Sequence, residues 1–253
     1  MSTLAVIPAR LGATRLPRKP LRLLGGVPLV VRVWERVAAL DLAGDCIIAT
    51  DSQDVIEAAR AAGAEAVLTS ADHASGTDRV AEVARLSRYR RFDTIVNVQG
   101  DEPFIDQAAV LGAAAMVSGR GFALGTAAAR AGDDVLTRAH VVKVVTADDG
   151  RAMYFSRAAI PYLRDGTDAP LLASRVLQHI GVYAYTREAL VRWVSLPEHP
   201  LERIERLEQL RPLAAGIPIG VAVVDGPPEP GIDTEADLDR ANARWTDLIA
   251  GRP

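Results

Sequence analysis

An apolar strand that stops at two carboxylates constrains the fold of this chain more than any other stretch. The β-branched run 94–98 predicts a strand buried on both faces of a parallel sheet. Gly100 ends the run, and Pro103 cannot donate a hydrogen bond within a sheet. Asp101 and Glu102 should therefore lie at the carboxyl end of a central strand, where open α/β sheets bind ligands. The alternative is an ordinary turn in which Asp101 caps backbone amides.

The elements before this strand alternate in the order expected of an α/β fold. Apolar runs at 4–7 and 45–50 are predicted strands, and helical patterns begin at Pro28 and extend over 53–62. Trp34 lies on the apolar side of the first helix, so we expect it in the core. Strands that alternate with helices form a parallel sheet with helical crossovers.

The pattern changes in the second half of the chain. Residues 141–145 and 152–155 predict a β-hairpin, and 179–185 predict another strand. These elements favour an antiparallel arrangement. We therefore expect a single domain over 1–253 with an antiparallel lobe, at approximately 133–200, inserted in it or appended to it.

A segment rich in leucine follows the predicted lobe. Apolar side chains recur at three-residue spacing over 201–210, which predicts one helix. Glu205, Glu208 and Gln209 lie off this apolar stripe. We expect most of the carboxylates among them to be solvated.

Composition and charge exclude several classes of protein. The formal net charge of −3 is not suited to neutralising nucleic acid, so an anion site must come from local clustering of arginine and lysine. Hydrophobic residues make up 49% and charged residues 24%, which argues for a folded globular chain. Cys46 is the single cysteine, which excludes an internal disulfide and is typical of a buried residue in a reducing compartment. With no secretory signal or membrane-spanning run, we expect a cytoplasmic protein.

A basic loop follows the first predicted strand. Arg10, Arg15, Arg18 and Lys19 lie in a segment that two prolines stiffen. A fixed cation beside a triphosphate is worth about 4 kcal/mol at 4 Å with an effective dielectric constant near 20, before desolvation. The position after the first strand favours phosphate binding, and a solvated basic loop is the alternative. The first turn contains neither a Walker A motif nor a Gly-x-Gly-x-x-Gly pattern, so those two classes of nucleotide binder lose support.

A second polar loop, 69–79, precedes a helix predicted over 79–86. Ser75, Gly76 and the backbone beside them offer donors and acceptors that could recognise the edge of a nucleobase. A plain loop that caps the following helix would have the same composition. Both interpretations stay open at this point.

Polar residues of the predicted lobe could bind an acidic sugar. Arg157, His179 and Tyr183 offer a cation and hydrogen-bonding groups. A lone histidine such as His179, however, is more often a hydrogen-bonded structural residue.

A stiff loop before the last predicted helix carries another carboxylate. Thr234 and Asp237 form a pair like a capping box, with aspartate in place of glutamate. The carboxylate of Asp233 is then not needed to cap this helix. It could be a second metal ligand, and a structural role is the alternative.

Several stretches taken together resemble the 3-deoxy-manno-octulosonate cytidylyltransferase family, also called CMP-KDO synthetases. The resemblance covers essentially the whole chain. The matching stretches are 7–10, 14–17, 19–21, 71–73, 75–77, 96–103, 142–145, 154–157, 179–183, 207–211 and 232–234. The first stretches and 99–101 alone would indicate only the wider nucleotidyltransferase superfamily, which includes CMP-sialic acid synthetases.

The resemblance implies a fold and a reaction. The implied fold is a Rossmann-like nucleotide-diphospho-sugar transferase fold, with a mixed, mostly parallel sheet flanked by helices and a smaller antiparallel dimerisation lobe. In the implied reaction, the anomeric hydroxyl of 3-deoxy-D-manno-octulosonate (KDO) attacks the α-phosphorus of CTP in line and yields CMP-KDO and diphosphate. The resemblance further implies Mg²⁺ as cofactor, a homodimer, and a role in lipopolysaccharide biosynthesis.

The resemblance also implies roles for individual residues. Asp101 and Asp233 would hold Mg²⁺, and Lys19 and Arg10 would complete the catalytic set. The implied nucleotide-binding residues are Pro8, Ala9, Arg10, Arg15, Lys19, Asp72, Ser75, Gly76, Gln99 and Asp101. The implied sugar-binding residues are Arg157, His179, Tyr183, Glu208 and Gln209.

Departures from the family pattern leave alternatives open. They stand at 11–13, Arg18, Asp78 and Tyr162, and none removes an implied ligand. A related acidic sugar, such as a KDO analogue or a sialic acid, is one alternative substrate. A non-catalytic nucleotide-binding homologue is the other alternative, and retention of both Asp101 and Asp233 argues against it.

Overall fold

The structure is a computed structural model that describes residues 2–12, 15–40, 42 and 44–250, with 247–250 described by their backbone alone. The predicted fold class is confirmed: the fold is α/β, with a mixed, mostly parallel sheet flanked by helices. Ala13 and Thr14 of the basic loop lie outside the described residues. No helix in the described ranges is long and apolar enough to cross a membrane.

The elements alternate as predicted in the first half and change character in the second. The strands are β1 (Thr3–Ala9), β2 (Leu23–Leu24), β3 (Val27–Pro28), β4 (Gly44–Thr50), β5 (Glu65–Leu68), β6 (Thr94–Asn97), β7 (Leu124–Arg130), β8 (Lys143–Thr146), β9 (Ala152–Ser156), β10 (Leu177–Thr186) and β11 (Ile219–Val224). The helices are α1 (Leu29–Ala38), α2 (Gln53–Ala61), α3 (Gly76–Arg85), α4 (Gln107–Ser118), α5 (Ala169–Ala173), α6 (Arg187–Ser195), α7 (Pro200–Glu205), α8 (Leu210–Ala214) and α9 (Glu235–Ala250). Short 3-10 turns cover Lys19–Leu21, Ser87–Tyr89, Asp133–Thr137 and Gly166–Asp168.

The chain divides into two compact units. The first unit holds residues 2–93, 97–105 and 229–253, and the second holds 94–96 and 106–228. The predicted lobe at 133–200 lies entirely within the second unit, whose bounds are wider. The single domain over 1–253 stays a prediction.

Parallel strands form the centre of the first unit. β1 is buried along its whole length and pairs in parallel with β4, which pairs in parallel with β5. Helix α1 begins directly after Pro28 and packs Val30, Val33 and Val37 into the core. Trp34 is only partly buried, and its indole nitrogen donates to the Cys46 carbonyl at 3.3 Å.

The late segment of the chain belongs to the core of this first unit. Ile232, Leu238 and Ala241 form one apolar cluster with Leu16 and Leu24. Burial of these side chains holds the loop before α9 close to the basic loop, because both flank the same cluster. Residues from the two ends of the sequence therefore lie side by side.

The second unit is mainly antiparallel, as predicted for this half. β7 lies between β11, its parallel neighbour, and β10, its antiparallel neighbour. β8 and β9 form the predicted hairpin, and β8 also pairs with β10. An aromatic cluster of Phe155, His179, Tyr183, Tyr185 and Trp193 lies on this framework.

Two predicted helices differ from the structure. The prediction of a single helix over 201–210 is wrong. Helix α7 ends at Glu205 because Arg206 adopts a left-handed backbone with φ of 55°, and α8 begins only at Leu210. Helix α3 begins at Gly76 rather than at Arg79, because a capping box at Ser75 and Asp78 starts it earlier. In both places, the hydrophobic pattern alone did not identify where the helix begins or ends.

Candidate active site

A polar cavity of about 370 Å³ lies in the first unit at the carboxyl end of β1, beside residues 99–101. The position is the one predicted for ligand binding by an open α/β sheet. The residues that line it are Pro8, Ala9, Arg10, Arg15, Leu16, Lys19, Pro20, His73, Ala74, Ser75, Gly76, Arg79, Gln99, Gly100, Asp101 and Asp233. All predicted nucleotide-binding residues except Asp72 are among them.

The backbone of the first unit carries Asp101 to the edge of this cavity. Val98 continues the run of β6 and donates to the Val6 carbonyl of β1 at 3.2 Å. A side chain at Gly100 would place its Cβ 2.8 Å from the Pro8 carbonyl oxygen, so only glycine permits this close approach. Asp101 follows at once and points its carboxylate into the cavity.

Asp233 reaches the same place from the far end of the sequence. Ile232 donates its backbone N–H to the Asp101 carbonyl at 2.9 Å, which joins the two loops directly. The predicted capping pair is confirmed, since Thr234 and Asp237 exchange hydrogen bonds at the start of α9. Asp237 also accepts from the Asp233 backbone N–H. The Asp233 side chain is therefore not needed as a cap.

Lys19 stands between the two aspartates. Its Nζ donates to Asp101 Oδ2 at 2.5 Å and to Asp233 Oδ1 at 2.8 Å. Burial alone would lower the pKa of Lys19, but the two carboxylates outweigh it and the net pKa is raised. Because both oxygens bond the same nitrogen, the distance between them cannot exceed the sum of these two bonds.

Glu102 adds a third carboxyl group beside this cluster. Burial and the neighbouring Asp101 charge raise the pKa of Glu102 to about 8. Since its charged form is disfavoured there, Glu102 is largely neutral at pH 7. The negative charge of the cluster therefore resides on Asp101 and Asp233.

The arginines of the basic loop are placed differently from one another. Arg10 and Arg15 line the cavity, and Arg15 donates to Asp233 Oδ2 at 3.0 Å with a side chain that is 69% exposed. Arg18 instead pairs with Asp54 at 2.6 Å and does not line the cavity. Exposed ion pairs of this kind are weak, so Arg15 can exchange its partner at little cost.

The structure identifies a buried ion pair that sequence reasoning missed. Arg79 is 3% exposed, lines the cavity, and bonds Asp51 at 3.0 Å and the Thr69 hydroxyl. Asp51 also accepts from the Leu11 backbone N–H at 3.1 Å. This pair thus links the basic loop to the loop before α3. Asp51 directly follows β4, and the rule that selected Asp101 could have found it.

The predicted base-binding residues are mostly grouped. Gly76 lies against Pro8 and Gln99, since a Cβ there would be 3.2 Å from Pro8 Cγ and 3.7 Å from Gln99 Oε1. Ser75 caps α3, which confirms the capping interpretation, and it also lines the cavity, while base recognition stays a prediction. Asp72 is exposed and does not line the cavity. The adjacent His73 does line it.

The predicted sugar-binding histidine is held inside the second unit. His179 Nε2 lies 3.0 Å from the Thr126 hydroxyl, and its ring packs edge-on against Phe155 with centroids 5.0 Å apart. Its ring centroid lies 5.5 Å from that of Tyr183. Burial lowers the pKa of His179 to about 3, so the imidazole is neutral at physiological pH.

The other predicted sugar-binding residues share this second unit. Burial, together with the neighbouring Tyr185 and Glu208, raises the pKa of Tyr183 well above its ordinary value, so its phenol stays protonated. Glu208 is partly buried and contributes to that shift, while Gln209 is buried. Arg157 is partly buried and bonded to Glu205 and His140.

The metal-binding capacity of the first unit rests on oxygen donors. Within the described ranges, no group of three or more His, Cys, Asp or Glu side chains is placed to hold a metal ion. Asp101 and Asp233 nevertheless present carboxylate oxygens to one shared cation, the Lys19 ammonium. One or two carboxylates completed by substrate phosphates form a usual Mg²⁺ site, so this donor set suits that ion.

Comparison with known proteins gives a consistent result along the sequence. Residues 4–219 match the protein family described as Cytidylyltransferase. The chain is 60% identical to a 3-deoxy-manno-octulosonate cytidylyltransferase of Gemmatimonas aurantiaca, across 99% of this chain and 96% of that protein. It is 47% identical to a protein of the same name from Leptothrix cholodnii, across 97% of this chain and 92% of that one.

Solved structures agree with the sequence comparison. A structure described as CMP:2-keto-3-deoxy-manno-octonic acid synthetase complexed with CTP superposes with a TM-score of 0.90 at 36% identity, covering 98% of this chain and all of the other. The inositol-1-phosphate CTP transferase from T. maritima superposes with a TM-score of 0.66 at 14% identity. The second likeness shows the fold alone.

Proposed function

This chain belongs to the 3-deoxy-manno-octulosonate cytidylyltransferase family, and we infer from that premise that it is an enzyme that activates KDO with CTP. It transfers CMP to the sugar acid and releases diphosphate.

The observation that carries the proposal is the pair Asp101 and Asp233 facing one cation in a nucleotide-sized cavity. Two carboxylates this close repel each other unless a positive charge lies between them. Lys19 supplies that charge in the structure, at 2.5 and 2.8 Å. The pair is therefore arranged to hold positive charge, as phosphoryl transfer requires.

Magnesium is the cofactor that fits these donors. Asp101 and Asp233 would hold it together with phosphate oxygens of CTP. When bound, Mg²⁺ supplies charge neutralisation and Lewis acidity at the phosphate. Lys19 then becomes available to bond the triphosphate.

The remaining residues of the cavity bind and align the triphosphate. Arg10 and Arg15 are exposed cations at its edge, ready to exchange water or a weak ion pair for phosphate oxygens. Phosphoryl transfer gains from charge neutralisation and in-line alignment rather than from covalent help. These arginines supply the charge neutralisation, and the rigid turn at Gly100 supports the in-line alignment.

Recognition of the base and of the sugar is assigned to separate residues. Ser75, Gly76 and Gln99 lie together in the cavity wall and are proposed to bind cytosine. Arg157 and His179 of the second unit are proposed to bind the sugar acid, one by charge and the other as a neutral hydrogen-bonding group.

We also propose that the enzyme is a homodimer in the cytoplasm that serves lipopolysaccharide biosynthesis. Large apolar side chains are exposed in the second unit, and Tyr162 is 83% exposed. The others described in that unit are Met153, Leu171, Val191, Leu201, Ile204 and Val223. Exposed apolar surface of this kind supports association through that unit.

Release of diphosphate tests the activity. Purified enzyme is incubated with each combination of CTP, UTP, ATP or GTP and KDO, a KDO analogue or a sialic acid, with and without EDTA. We expect rapid release only with CTP and KDO, and loss of release when EDTA removes divalent ions. Equal rates with UTP would contradict the base assignment, and full rates in EDTA would contradict the metal.

A further inference from the structure

A lysine is buried in the second unit with no carboxylate bonded to it among the residues that the structure describes. Lys143 on β8 is 0% exposed, and its Nζ donates to the carbonyl oxygens of Val141 at 2.8 Å, Arg138 at 3.2 Å and Arg157 at 2.5 Å. An ammonium group has three N–H donors, so these three bonds use all of them. Burying a charge is expensive, and a core could instead use an apolar side chain at this position. We therefore expect that Lys143 serves to fix the positions of these three carbonyl groups.

One of those carbonyls belongs to Arg157, and the other two belong to the loop that Arg157 also bonds. Arg157 Nη1 donates to the His140 carbonyl at 3.2 Å, and His140 lies between the two loop residues that Lys143 also binds. Lys143 thus holds the Arg157 backbone and the loop beneath its guanidinium group at the same time. Movement of either would change the direction of the guanidinium group.

Glu205 holds the same arginine from the other side. Its Oε2 accepts from the Arg157 backbone N–H at 2.9 Å, and its Oε1 accepts from the Ser156 hydroxyl at 2.6 Å. Its own carbonyl accepts from Arg157 Nε at 2.9 Å. That carbonyl is available because α7 ends there, at the left-handed residue Arg206, and the last carbonyls of a helix lack partners within it.

The bonds leave one part of the guanidinium group to a ligand. Arg157 Nε and Nη1 donate to protein carbonyls, whereas Nη2 has no protein acceptor within the described ranges. Desolvation and the neighbouring guanidinium charge lower the pKa of Lys143, and Glu205 opposes this. Glu205, which bonds Arg157, therefore favours the charged form of the nearby Lys143.

We propose that Lys143 and Glu205 are positioning residues that aim the Arg157 guanidinium group at the carboxylate of the sugar acid. This inference rests on the proposed function, since it names what organises the sugar-binding residue of that reaction. Neither residue touches the sugar in this scheme. Both act only through Arg157.

Steady-state kinetics of Lys143→Met and Glu205→Gln test the proposal. Each variant should raise the KM for KDO about tenfold or more, since small misplacements of a binding group cost that much. The KM for CTP should change by less than about twofold, because binding that the variants do not touch is retained. The matched control is Thr186→Ala, which removes the N-cap of α6 in the same unit and lowers stability without contacting Arg157. Its two KM values should stay unchanged.

A double-mutant cycle separates positioning from general damage. Lys143→Met is repeated in an Arg157→Ala background, where a residue that acts through Arg157 has nothing left to position. We expect Lys143→Met to have no further effect on the KM for KDO there, although it still lowers the thermal midpoint. If Lys143→Met fails to fold, the same cycle with Glu205→Gln decides.

The outcomes separate failure of this inference from failure of the proposed function. If the natural enzyme forms no CMP-KDO from CTP and KDO, the proposed function is wrong and the inference falls with it. If the enzyme is active and Arg157→Ala leaves the KM for KDO unchanged, the inference and the assignment of Arg157 to the sugar acid are overturned, whereas the proposed activity stands. Additive effects in the cycle, or equal increases in both KM values, overturn it as well.

Discussion

The two units hold their functional side chains in opposite ways. In the first unit, Arg10 and Arg15 are exposed cations, and Lys19 bonds two carboxylates that a ligand could engage instead. In the second unit, His179 and Arg157 are fixed by bonds to protein groups. The comparison teaches that the first unit keeps its charges exchangeable, whereas the second orients its polar groups in advance.

The chemistry of the ligands proposed for the two units accounts for this difference. A triphosphate carries several charges and is attracted over distance, so cations that adjust on binding still gain most of the energy. A sugar acid offers one carboxylate and several hydroxyls, which are recognised by direction. Preorganised groups lose less entropy when such a ligand binds.

Removing one of the two carboxylates that bond Lys19 should have the largest effect on turnover. Asp101→Asn or Asp233→Asn should lower kcat by roughly a hundredfold or more, the scale of lost electrostatic stabilisation at a transition state. The control is Asp54→Asn, an exposed partner of Arg18 in the same unit, which should retain normal turnover. Near-normal kcat in either active-site variant would remove both aspartates from the metal site.

Replacing the shared cation should have a smaller and more selective effect. Lys19→Met should raise the KM for CTP on the order of thirtyfold, because a hydrogen bond to a charged group is lost. The KM for KDO should rise less. Arg60→Met serves as the control, since Arg60 is exposed on α2. An effect confined to the KM for KDO would show that Lys19 does not face the nucleotide.

The fixed polar groups of the second unit should show their effect in the pH dependence of stability rather than in ligand binding. Since the pKa of His179 is about 3 in the folded protein and ordinarily 6.5, the unfolded chain binds a proton over this range and the folded protein does not. Stability should therefore fall as the pH is lowered from 6.5, by roughly 1 to 2 kcal/mol at pH 5. Urea unfolding of His179→Gln should lack this part of the pH dependence.

The matched control for this measurement is His140→Gln, at an exposed histidine of the same unit. It should follow the natural protein at each pH. If His179→Gln and the natural protein lose stability in parallel between pH 7 and pH 5, His179 is not buried as a neutral group.

The sequence predicted the first unit well because local rules decide it. A β-branched strand that ends at glycine placed Asp101, and a capping pair left Asp233 unused as a cap. Both rules depend on a few neighbouring residues. That the two aspartates meet as shared Mg²⁺ ligands, by contrast, came from the family resemblance and not from periodicity, and their bonds to Lys19 were not predicted.

The failures of prediction lie where distant contacts override a local pattern. The apolar spacing over 201–210 continues through Arg206, whose left-handed backbone ends α7 although it is not glycine. Most carboxylates of this segment were expected to be solvated, but Glu205 bonds Ser156 and Arg157, which are remote in sequence. No local pattern reports partners of that kind.

The backbone bond from Ile232 to Asp101 also has a consequence for biosynthesis. A ribosome completes Lys19 and Asp101 long before it adds Asp233, so an unfinished polypeptide carries one half of the carboxylate pair. Such a nascent chain cannot assemble the centre, however much of its sheet has already formed. Competence therefore arrives late in translation, when the segment that leads into α9 emerges and docks.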